Sequence, residues 1–420
     1  MTQELTQTNE ITETEVPSGY KKTKYGIFPD DWEIRMIKDI LKRVKKPVEV
    51  QANEDYKQIG IRSHGKGIFY KQSVTGESLG NKAVFWIEPD CFIVNIVFAW
   101  EMAVAKTTTK ELGFIASHRF PMYKPEKNRL DLDFITYLFK SPRGKYLLNL
   151  ASPGGAGRNK TLGQKEFGEI EVVIPQSVNE QKKIAEILST WDKAIELKEN
   201  LIEQKKEQKK GVIQKLLTGN VRVPGWKGKV NEVRLIGLIK EIKEKNNENI
   251  VSKVLSVTNS RGFINQSEQF VRQVASENLT TYKIIRKGQF AYNPSRVNVG
   301  SIDLLEQFDE GILSPMYVIF KTNEQRVFSN YLKQFFKSNL FLNQLEALLQ
   351  GSVRQSLSFK GLEQVKLFIP DDLNEQKQIS EILSLFDKQI NLLQVELKEI
   401  QEQKKWLMQM LLTGKIRVKV

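Results

Sequence analysis

Residues 60–67, with the sequence G-I-R-S-H-G-K-G, carry the glycines and the lysine of a phosphate-binding loop. In such a loop backbone N–H groups surround the phosphates, the Lys contacts them, and a following Ser or Thr binds Mg²⁺. Gly67 stands where that hydroxyl belongs, and a second copy, Asn259-Ser260-Arg261-Gly262, continues with Phe263 in place of Lys66. The pattern favours a polar turn, either a plain hairpin turn or one that contacts nucleic acid. The candidate DNA-binding residues of the two copies are Arg62, His64, Lys66, Asn259 and Arg261.

A second repeated segment also combines glycine with cations. Residues 152–161 read S-P-G-G-A-G-R-N-K-T, and their counterpart, residues 350–357, reads Q-G-S-V-R-Q-S-L. Both place an Arg and an amide side chain after Gly, and Arg can read guanine while Asn or Gln can read adenine. A capped loop without any ligand explains the pattern equally well. The candidates from this pair are Arg158, Asn159, Lys160, Arg354 and Gln355.

Tyr292-Asn293-Pro294-Ser295 is half of the Asn-Pro-Pro-Tyr motif of amino-methyltransferases. It lacks the second Pro and the aromatic residue that stacks on a flipped base, and its counterpart is Val94-Asn95-Ile96. The chain also has no Gly-rich loop suited to S-adenosylmethionine, no Ser/His/Asp set and no cluster of acids suited to a nuclease. We therefore predict no catalytic residue, and we add Arg296 and Asn298 to the DNA-binding candidates.

The composition favours a polyanionic partner. The 420 residues contain 64 Lys and Arg against 50 Asp and Glu, a net charge of +14, which suits nucleic acid first and an anionic membrane second. With one cysteine, Cys91, and two histidines, the sequence excludes an internal disulfide and predicts no metal site. It has no apolar run long enough to span a membrane. We expect a cytoplasmic protein whose residues 1–20, with four Glu and no Lys or Arg, form a disordered leader.

The strongest feature of the sequence is an internal repeat. Residues 179–223 align with residues 374–418 at a constant offset of 195, with 24 identities in 45 positions. Each copy begins with Asn, a good helix N-cap, followed by Glu, and each reaches Thr-Gly where a helix would end. The pattern predicts two long helices, each a rod of roughly 55 Å at 1.5 Å per residue.

Apolar residues in both predicted helices alternate at spacings of four and three, which is typical of a coiled coil. Lys198, Lys205 and Lys209 interrupt this seam in the first helix. Such helices need a partner, and the other copy is the obvious one. Antiparallel pairing would put the two modules at opposite ends, and parallel pairing would put them side by side; we predict an antiparallel coiled coil. Pairing of each helix with a different protein is a further alternative. The first residues of the two seams are Ile184, Leu188, Trp191, Ile195, Ile379, Leu383, Phe386 and Ile390.

The remaining segments are two divergent globular modules of the α+β class, each of mixed α/β composition. Short apolar runs such as residues 83–88, 91–99 and 317–321 indicate strands, whereas the spacing in 134–142 and 331–339 indicates helices. The predicted organisation is a leader at 1–20, a first module at 21–178, a first helix at 179–219, a second module at 220–373 and a second helix at 374–420.

Two divergent modules, each followed by N-E-Q-K-x-I-x-E-I-L-S and a long helix ending in L-L-T-G, resemble the DNA specificity subunit of type I restriction–modification systems. Further segments are similar to that family: Y-G-I-F-P-D-D-W at 25–32, S-P-M-Y at 314–317 and G-S-V-R at 351–354. The resemblance covers nearly the whole chain after residue 20. The module segments match less specifically than the helix motifs, and S-H-R-F at 117–120 replaces the Ser-Pro-x-Tyr piece in the first module.

The resemblance implies that each module is a target recognition domain that reads one half of a bipartite double-stranded DNA site, with the helices as a spacer. It implies two methyltransferase subunits that methylate adenine with S-adenosylmethionine, and restriction subunits that use ATP and Mg. The chain itself would be non-catalytic and would bind no cofactor. Two alternatives remain: a coiled-coil scaffold without base readout, and a nucleotide-dependent enzyme that uses residues 60–67.

Overall fold

The computed structural model describes residues 16–154, 160–259, 261–266, 279–349 and 355–419. Its contacts divide the chain into two compact units, Met1–Leu197 with Leu397–Val420, and Lys198–Glu396. Each of the two long helices therefore contributes to both units. Tyr20 already belongs to a strand, so the predicted leader at 1–20 extends into the folded part of the first unit.

The first unit is built from small, mainly antiparallel sheets covered by short helices. Its largest sheets are β10-β9-β12-β4 and β6-β5-β11-β8, with β7 on β5, and β1-β2 and β3-β13 form two further pairs. The strands are β1 (Tyr20–Thr23), β2 (Gly26–Pro29), β3 (Trp32–Met36), β4 (Leu41–Val44), β5 (Asp55–Ile61), β6 (Ile68–Tyr70), β7 (Val74–Thr75), β8 (Val84–Trp86), β9 (Phe92–Val94), β10 (Val104–Lys106), β11 (Phe114–Ser117), β12 (Met122–Pro125) and β13 (Glu171–Pro175). The helices are α1 (Ile37–Ile40), α2 (Gly76–Leu79), α3 (Leu132–Lys140), α4 (Pro142–Leu150), α5 (Gln164–Glu169) and the long α6 (Val178–Leu216).

The second unit repeats this plan, with fewer strands among its described residues. Its sheets are β15-β22-β19-β20, β16-β17, β18-β21 and β14-β23. The strands are β14 (Val230–Arg234), β15 (Ile239–Ile242), β16 (Leu255–Thr258), β17 (Gly262–Asn265), β18 (Lys283–Arg286), β19 (Phe290–Tyr292), β20 (Ile302–Leu304), β21 (Glu310–Leu313), β22 (Val318–Thr322) and β23 (Lys366–Pro370). The helices are α7 (Ser329–Phe336), α8 (Asn339–Leu348), α9 (Phe359–Glu363) and the long α10 (Leu373–Leu411).

The two modules share one topology despite their divergent sequences. The four-stranded sheets correspond strand for strand, with β9 matching β19 at the centre. A parallel pairing of β11 with β5 in the first unit has its counterpart in a parallel bridge between Val254 and Ile312 in the second. Buried aromatic rings pack each central sheet against its helices, for example Phe92 on Phe139, and Phe290 on Phe336. The prediction of two tandem modules of mixed helix and strand is confirmed.

One predicted strand is shorter than the apolar run that suggested it. The run at 91–99 forms a strand only over β9, because the chain turns at Asn95 and enters a single 3-10 turn at Ala99–Glu101. The second unit has the equivalent 3-10 turn at Val297–Val299, after β19. These two turns, called the central turns below, lie at the middle of the candidate site.

Each long helix has 39 residues, a length of about 58 Å at 1.5 Å per residue. The helices begin at Val178 and Leu373, so Asn179 and Asn374 lie in the first turn and the prediction that they are N-caps is wrong. The caps precede them, and Gln181 donates its backbone N–H to the carbonyl of Ser177. Both helices end three residues before a glycine with positive φ. No helix in the described part of the chain is long and apolar enough to cross a membrane.

The repeated N-E-Q motif fastens each module to its helix. The Gln181 side chain donates to the carbonyls of Arg129 and Pro175 and accepts the N–H of Asp131. Gln376 makes the equivalent bonds in the second unit, to the carbonyls of Arg326 and Pro370 and from the N–H of Phe328. Both amides are buried, and an amide can satisfy donors and acceptors at once. The identity of this Gln in the two copies therefore has a structural cause.

Candidate nucleic-acid interface

The turn at residues 62–67 joins β5 to β6 as a hairpin that closes at the pair Ile61 and Ile68. The side chains of Arg62, His64 and Lys66 are exposed. His64 adopts a left-handed backbone conformation with φ of 61°, which is uncommon for a residue other than Gly. The turn therefore projects three basic or titratable side chains from one short loop.

The central turn of the first unit holds this hairpin turn in place. The backbone N–H groups of His64 and Gly65 donate to the carbonyls of Glu101 and Met102 at 2.6 and 2.9 Å. Ser63 Oγ donates to the Glu101 carboxylate at 2.8 Å. Because the protein's own carbonyls accept these N–H groups, they are not free to surround a phosphate. The hydrogen bonds argue against the nucleotide-binding alternative and for a rigid turn that presents side chains.

Lys160 lies against the same central turn from another direction. Its Nζ donates to Asn149 Oδ1 at 3.0 Å and lies 5.8 Å from the centroid of the Trp100 ring. The N–H of Leu162 donates to the carbonyl of Ile96, which anchors the segment that carries Lys160. The candidates Arg158 and Asn159 lie outside the described residues.

In the second unit, Asn259 and Arg261 lie at the tip of the β16–β17 hairpin, and both are exposed. This hairpin closes at Thr258 and Gly262 and is three residues shorter than its counterpart. By strand register, Gly262 occupies the position that Ile68 has in the first unit. The sequence alignment of residues 259–262 with residues 62–65, which gave Gly262 the position of Gly65, is therefore wrong. Lys66 lies in the extra residues of the first hairpin. Thr258 Oγ1 accepts the N–H of Arg261 at 3.1 Å and fixes the turn.

Asn298 lies in the central turn of the second unit and Arg296 directly precedes that turn; both are exposed. Asn293 Oδ1 accepts the N–H of Ser295 at 3.1 Å, and the Asn293 carbonyl accepts the N–H of Arg296. The segment that resembled half of a methyltransferase motif is therefore an Asx turn, in which Asn shapes the backbone. Gln355 is exposed, and Leu357, two residues later, donates its N–H to the carbonyl of Pro294. Arg354 lies outside the described residues.

Each unit thus brings together three segments that are far apart in sequence: a hairpin turn, the central turn, and the segment before α5 or α9. We call this arrangement the three-part surface. In the first unit it carries Arg62, His64, Lys66 and Lys160 around Glu101 and Trp100. In the second unit it carries Asn259, Arg261, Arg296, Asn298 and Gln355, and a β-carbon on Gly300, just after the central turn, would lie 3.4 Å from Cβ of Asn259. Sequence patterns identified these candidates but gave no signal for Glu101 or Trp100.

The two three-part surfaces differ in the charges beneath them. In the second unit the buried Asp303 lies under the hairpin turn, 3.4 Å from the ammonium of Lys337 and 3.8 Å from that of Lys333. In the first unit Ala105 occupies the position of Asp303, and Lys140 occupies that of Lys337 beneath Gly65. Burial lowers the pKa of Lys140. The second unit therefore has a buried carboxylate at a position where the first unit has an alanine.

Among the residues that the structure describes, no group of three or more His, Cys, Asp or Glu is placed to hold a metal ion. Cys91 is buried, and this burial raises the pKa of its thiol to about 11. A thiol with so high a pKa is a poor nucleophile, because the thiolate is the reactive form.

The family described as the type I restriction modification DNA specificity domain matches residues 29–207 and 238–402. The chain belongs to this family. The type I restriction enzyme MjaVIII specificity subunit of Methanocaldococcus jannaschii is 27% identical over 424 residues, which cover 95% of this chain and 96% of that protein. The two matched regions contain both three-part surfaces. The chain is thus a type I specificity subunit with two DNA-recognition modules.

Two solved structures share the fold. One is the S subunit of a type I restriction–modification system from M. genitalium, with a TM-score of 0.55, 15% identity, and coverage of 93% of this chain and 96% of that one. The other is a chain from a structure described as "Structural basis underlying complex assembly and conformational transition of the type I R-M system". It has a TM-score of 0.58, 13% identity, and coverage of 93% and 99%. At these identities the likeness concerns the fold alone.

Proposed function

We propose that this specificity subunit reads a DNA target made of two separate halves, one half by each module. The observation that carries the proposal is the three-part surface, which occurs in both units on the same scaffold but with different side chains. A scaffold that is kept while its exposed residues change suits two readers of different sequences. A protein that only joined other proteins would have no use for two such surfaces rich in Arg, Lys and amides.

The side chains divide by the contacts they can make. Arg suits guanine and amide side chains suit adenine, because each can form two hydrogen bonds to one base edge, whereas Lys suits phosphates. Base contacts are therefore proposed for Arg62, Asn259, Arg261, Arg296, Asn298 and Gln355, and phosphate contacts for Lys66 and Lys160. His64 can serve either role. Arg158, Asn159 and Arg354 remain candidates from sequence alone.

The two long helices, on this proposal, pair as an antiparallel coiled coil that separates the modules. In the first unit Lys404 of α10 pairs with Asp192 of α6. In the second unit Lys209 lies 2.6 Å from Asp387, and Lys198 lies 2.9 Å from Glu396. The partners run in opposite order along the two helices, as antiparallel pairing requires. Lys198 and Lys209, which interrupt the seam, thus meet carboxylates of the other helix.

The seam residues themselves support this pairing. Ile184, Leu188, Ile379 and Leu383 are buried, while Trp191, Ile195, Phe386 and Ile390 are partly buried. In the first unit Ile184 and Leu188 share a hydrophobic cluster with Leu411 near the end of α10. In the second unit Leu216 near the end of α6 shares a cluster with Ile379 and Leu383.

The subunit would direct chemistry that other chains perform in a cytoplasmic complex. Two methyltransferase subunits would methylate adenine with S-adenosylmethionine, and restriction subunits would supply ATP- and Mg-dependent cleavage. The support is the family membership. No cofactor is assigned to this chain.

The test is to sequence methylated adenines in cells that express the subunit with its methyltransferase. We expect one motif of two specified halves around an unspecified spacer. Arg261→Ala should relax the motif within one half, and Arg62→Ala within the other. A continuous motif, or a motif that neither substitution changes, would contradict two-module reading and favour a scaffold whose base readout lies elsewhere.

A further inference from the structure

Phe69 and Gly60 form an unusual cross-strand pair next to the first hairpin turn. They lie opposite each other in β6 and β5. A β-carbon at position 60 would lie 2.3 Å from Cζ of Phe69 and 2.5 Å from its Cε1. No side chain fits there, so the Phe69 ring lies directly across the backbone of Gly60. The close approach of the Phe69 ring to the backbone requires glycine at position 60. Backbone conformation does not, because Gly60 does not have a positive φ.

Arg62 rests on the same ring. Its guanidinium carbon lies 5.3 Å from the centroid of the Phe69 ring, within the range of a cation–π contact. Arg62 directly follows β5, two residues after Gly60, and its N–H donates to the carbonyl of Gly67, so the hairpin pairing continues and positions 60 and 62 share a face. Arg62 remains exposed while its guanidinium is held against the aromatic face. A long side chain held in this way loses less conformational freedom when it binds.

The second unit keeps the phenylalanine and loses the stack. Phe263 takes the place of Phe69, but it pairs with Val257 in the position of Gly60 and is buried. Asn259 occupies the position of Arg62. In the second unit Val257 fills the space that the Phe69 ring occupies in the first. Phe263 therefore packs into the hydrophobic core of the second unit. The ring on Gly60 accompanies the arginine and is absent where the arginine is absent.

We propose that Phe69, seated on Gly60, is a positioning residue that orients Arg62 toward one base pair of the first half-site. This proposal rests on the proposed function, in which Arg62 contacts a base. Phe69 does not itself touch DNA; it fixes the direction of the guanidinium edge that does. Bidentate reading of guanine depends on that direction, because both hydrogen bonds require the planar fork to be aligned with the base edge.

The test uses the full subunit in its methyltransferase complex and a series of duplexes that differ at single base pairs of the first half-site. The measured quantity is the ratio of methylation rates for the preferred and the substituted base pair. Arg62→Ala should identify the position it reads by collapsing that ratio. Phe69→Leu should lower the ratio at the same position by about threefold to tenfold, part of the discrimination that one bidentate contact provides. Phe69→Tyr keeps the ring and should restore the ratio.

Gly60→Ala supplies a second route, because it displaces the ring without removing it and should affect the same position. Tyr70→Leu is the matched control: it alters the adjacent residue of β6, whose hydroxyl bonds to Glu111, and should leave the ratio unchanged. Equal loss of methylation at every position in the Phe69 and Gly60 variants would overturn the proposal and leave Phe69 a purely structural role. If Arg62→Ala changes no ratio, Arg62 reads no base and the positioning role also falls. If the Arg62→Ala variant still methylates a two-part motif, the proposed two-module function stands without base reading by Arg62.

Discussion

Arg417 and Glu180 give the sharpest test of how the repeated motifs hold a module on the helices. Glu180, in the first turn of α6, is only 3% exposed and accepts hydrogen bonds from Arg417 Nε at 2.9 Å and Nη2 at 3.1 Å. Arg417 follows the end of α10 in the sequence and also donates to Asp31 at 2.6 Å. In the second unit Arg222 pairs with the fully buried Glu375 in the same way.

Removing the arginine leaves a buried carboxylate without its cation. The cost of breaking a buried ion pair in this way is about 3–5 kcal/mol. The Arg417 side chain is 37% exposed, so water can partly replace it and the lower limit applies. We expect Arg417→Ala to destabilise the first unit by about 3 kcal/mol, which corresponds to roughly a hundredfold increase in the population of open states.

Hydrogen exchange followed by mass spectrometry measures this unit by unit. Arg417→Ala should accelerate exchange in β3, β13 and the first turns of α6, while peptides from β14 and β23 keep their rates. Arg222→Ala should give the converse pattern. Adding Glu180→Gln to Arg417→Ala should recover part of the loss, because a neutral amide costs less to bury than an unpaired charge. Less than threefold acceleration, or equal acceleration in both units, would refute the reasoning.

Three further predictions concern DNA recognition. Lengthening α6 by one turn near Gln204 adds about 5.4 Å to the helix. Sequencing of methylated sites should then show a changed spacing between the half-sites and unchanged half-site sequences. Altered half-site sequences would contradict the spacer role. Lys66→Gln and Lys160→Gln should each weaken binding to all DNA sequences alike. In a filter-binding titration, each should reduce the slope of the logarithm of the DNA-binding constant against the logarithm of the salt concentration by about 0.9. An unchanged slope would exclude a phosphate contact. Gly262→Ala places a β-carbon 2.1 Å from Oδ2 of Asp303 and should relax one half-site, while Gly288→Ala, at a similar positive φ with open space around it, should not.

The helices could be predicted from sequence because the repeated residues form the contacts that hold them. Glu180, Gln181 and Arg417 recur at the same offset since each unit needs the same buried ion pair and the same amide bridge. Asp192 and Asp387 recur because each accepts from a lysine of the other helix and from a side chain of its own module. Residues that are identical in the two copies of the repeat therefore indicate which contacts hold the helices.

The site was less accessible to the same reasoning. The apolar run at 91–99 reads as one strand, and periodicity cannot reveal that it turns at Asn95 and places Glu101 under a distant hairpin. The three-residue difference between the hairpins also cannot be seen without strand register, so an alignment on the shared Ser and Gly gives Gly262 the position of Gly65 incorrectly. Tertiary hydrogen bonds decide both features, and these leave no spacing signal in the chain.

The feature that makes residues 60–67 unsuitable as a phosphate-binding loop also favours the base reading proposed above. A phosphate loop must leave its N–H groups free, but the N–H groups of His64 and Gly65 are donated to the central turn. That donation fixes the backbone, so the side chains alone face outward. On the proposed function, a backbone fixed in this way leaves recognition to the side chains, which differ between the two copies as Arg62 and Asn259 do.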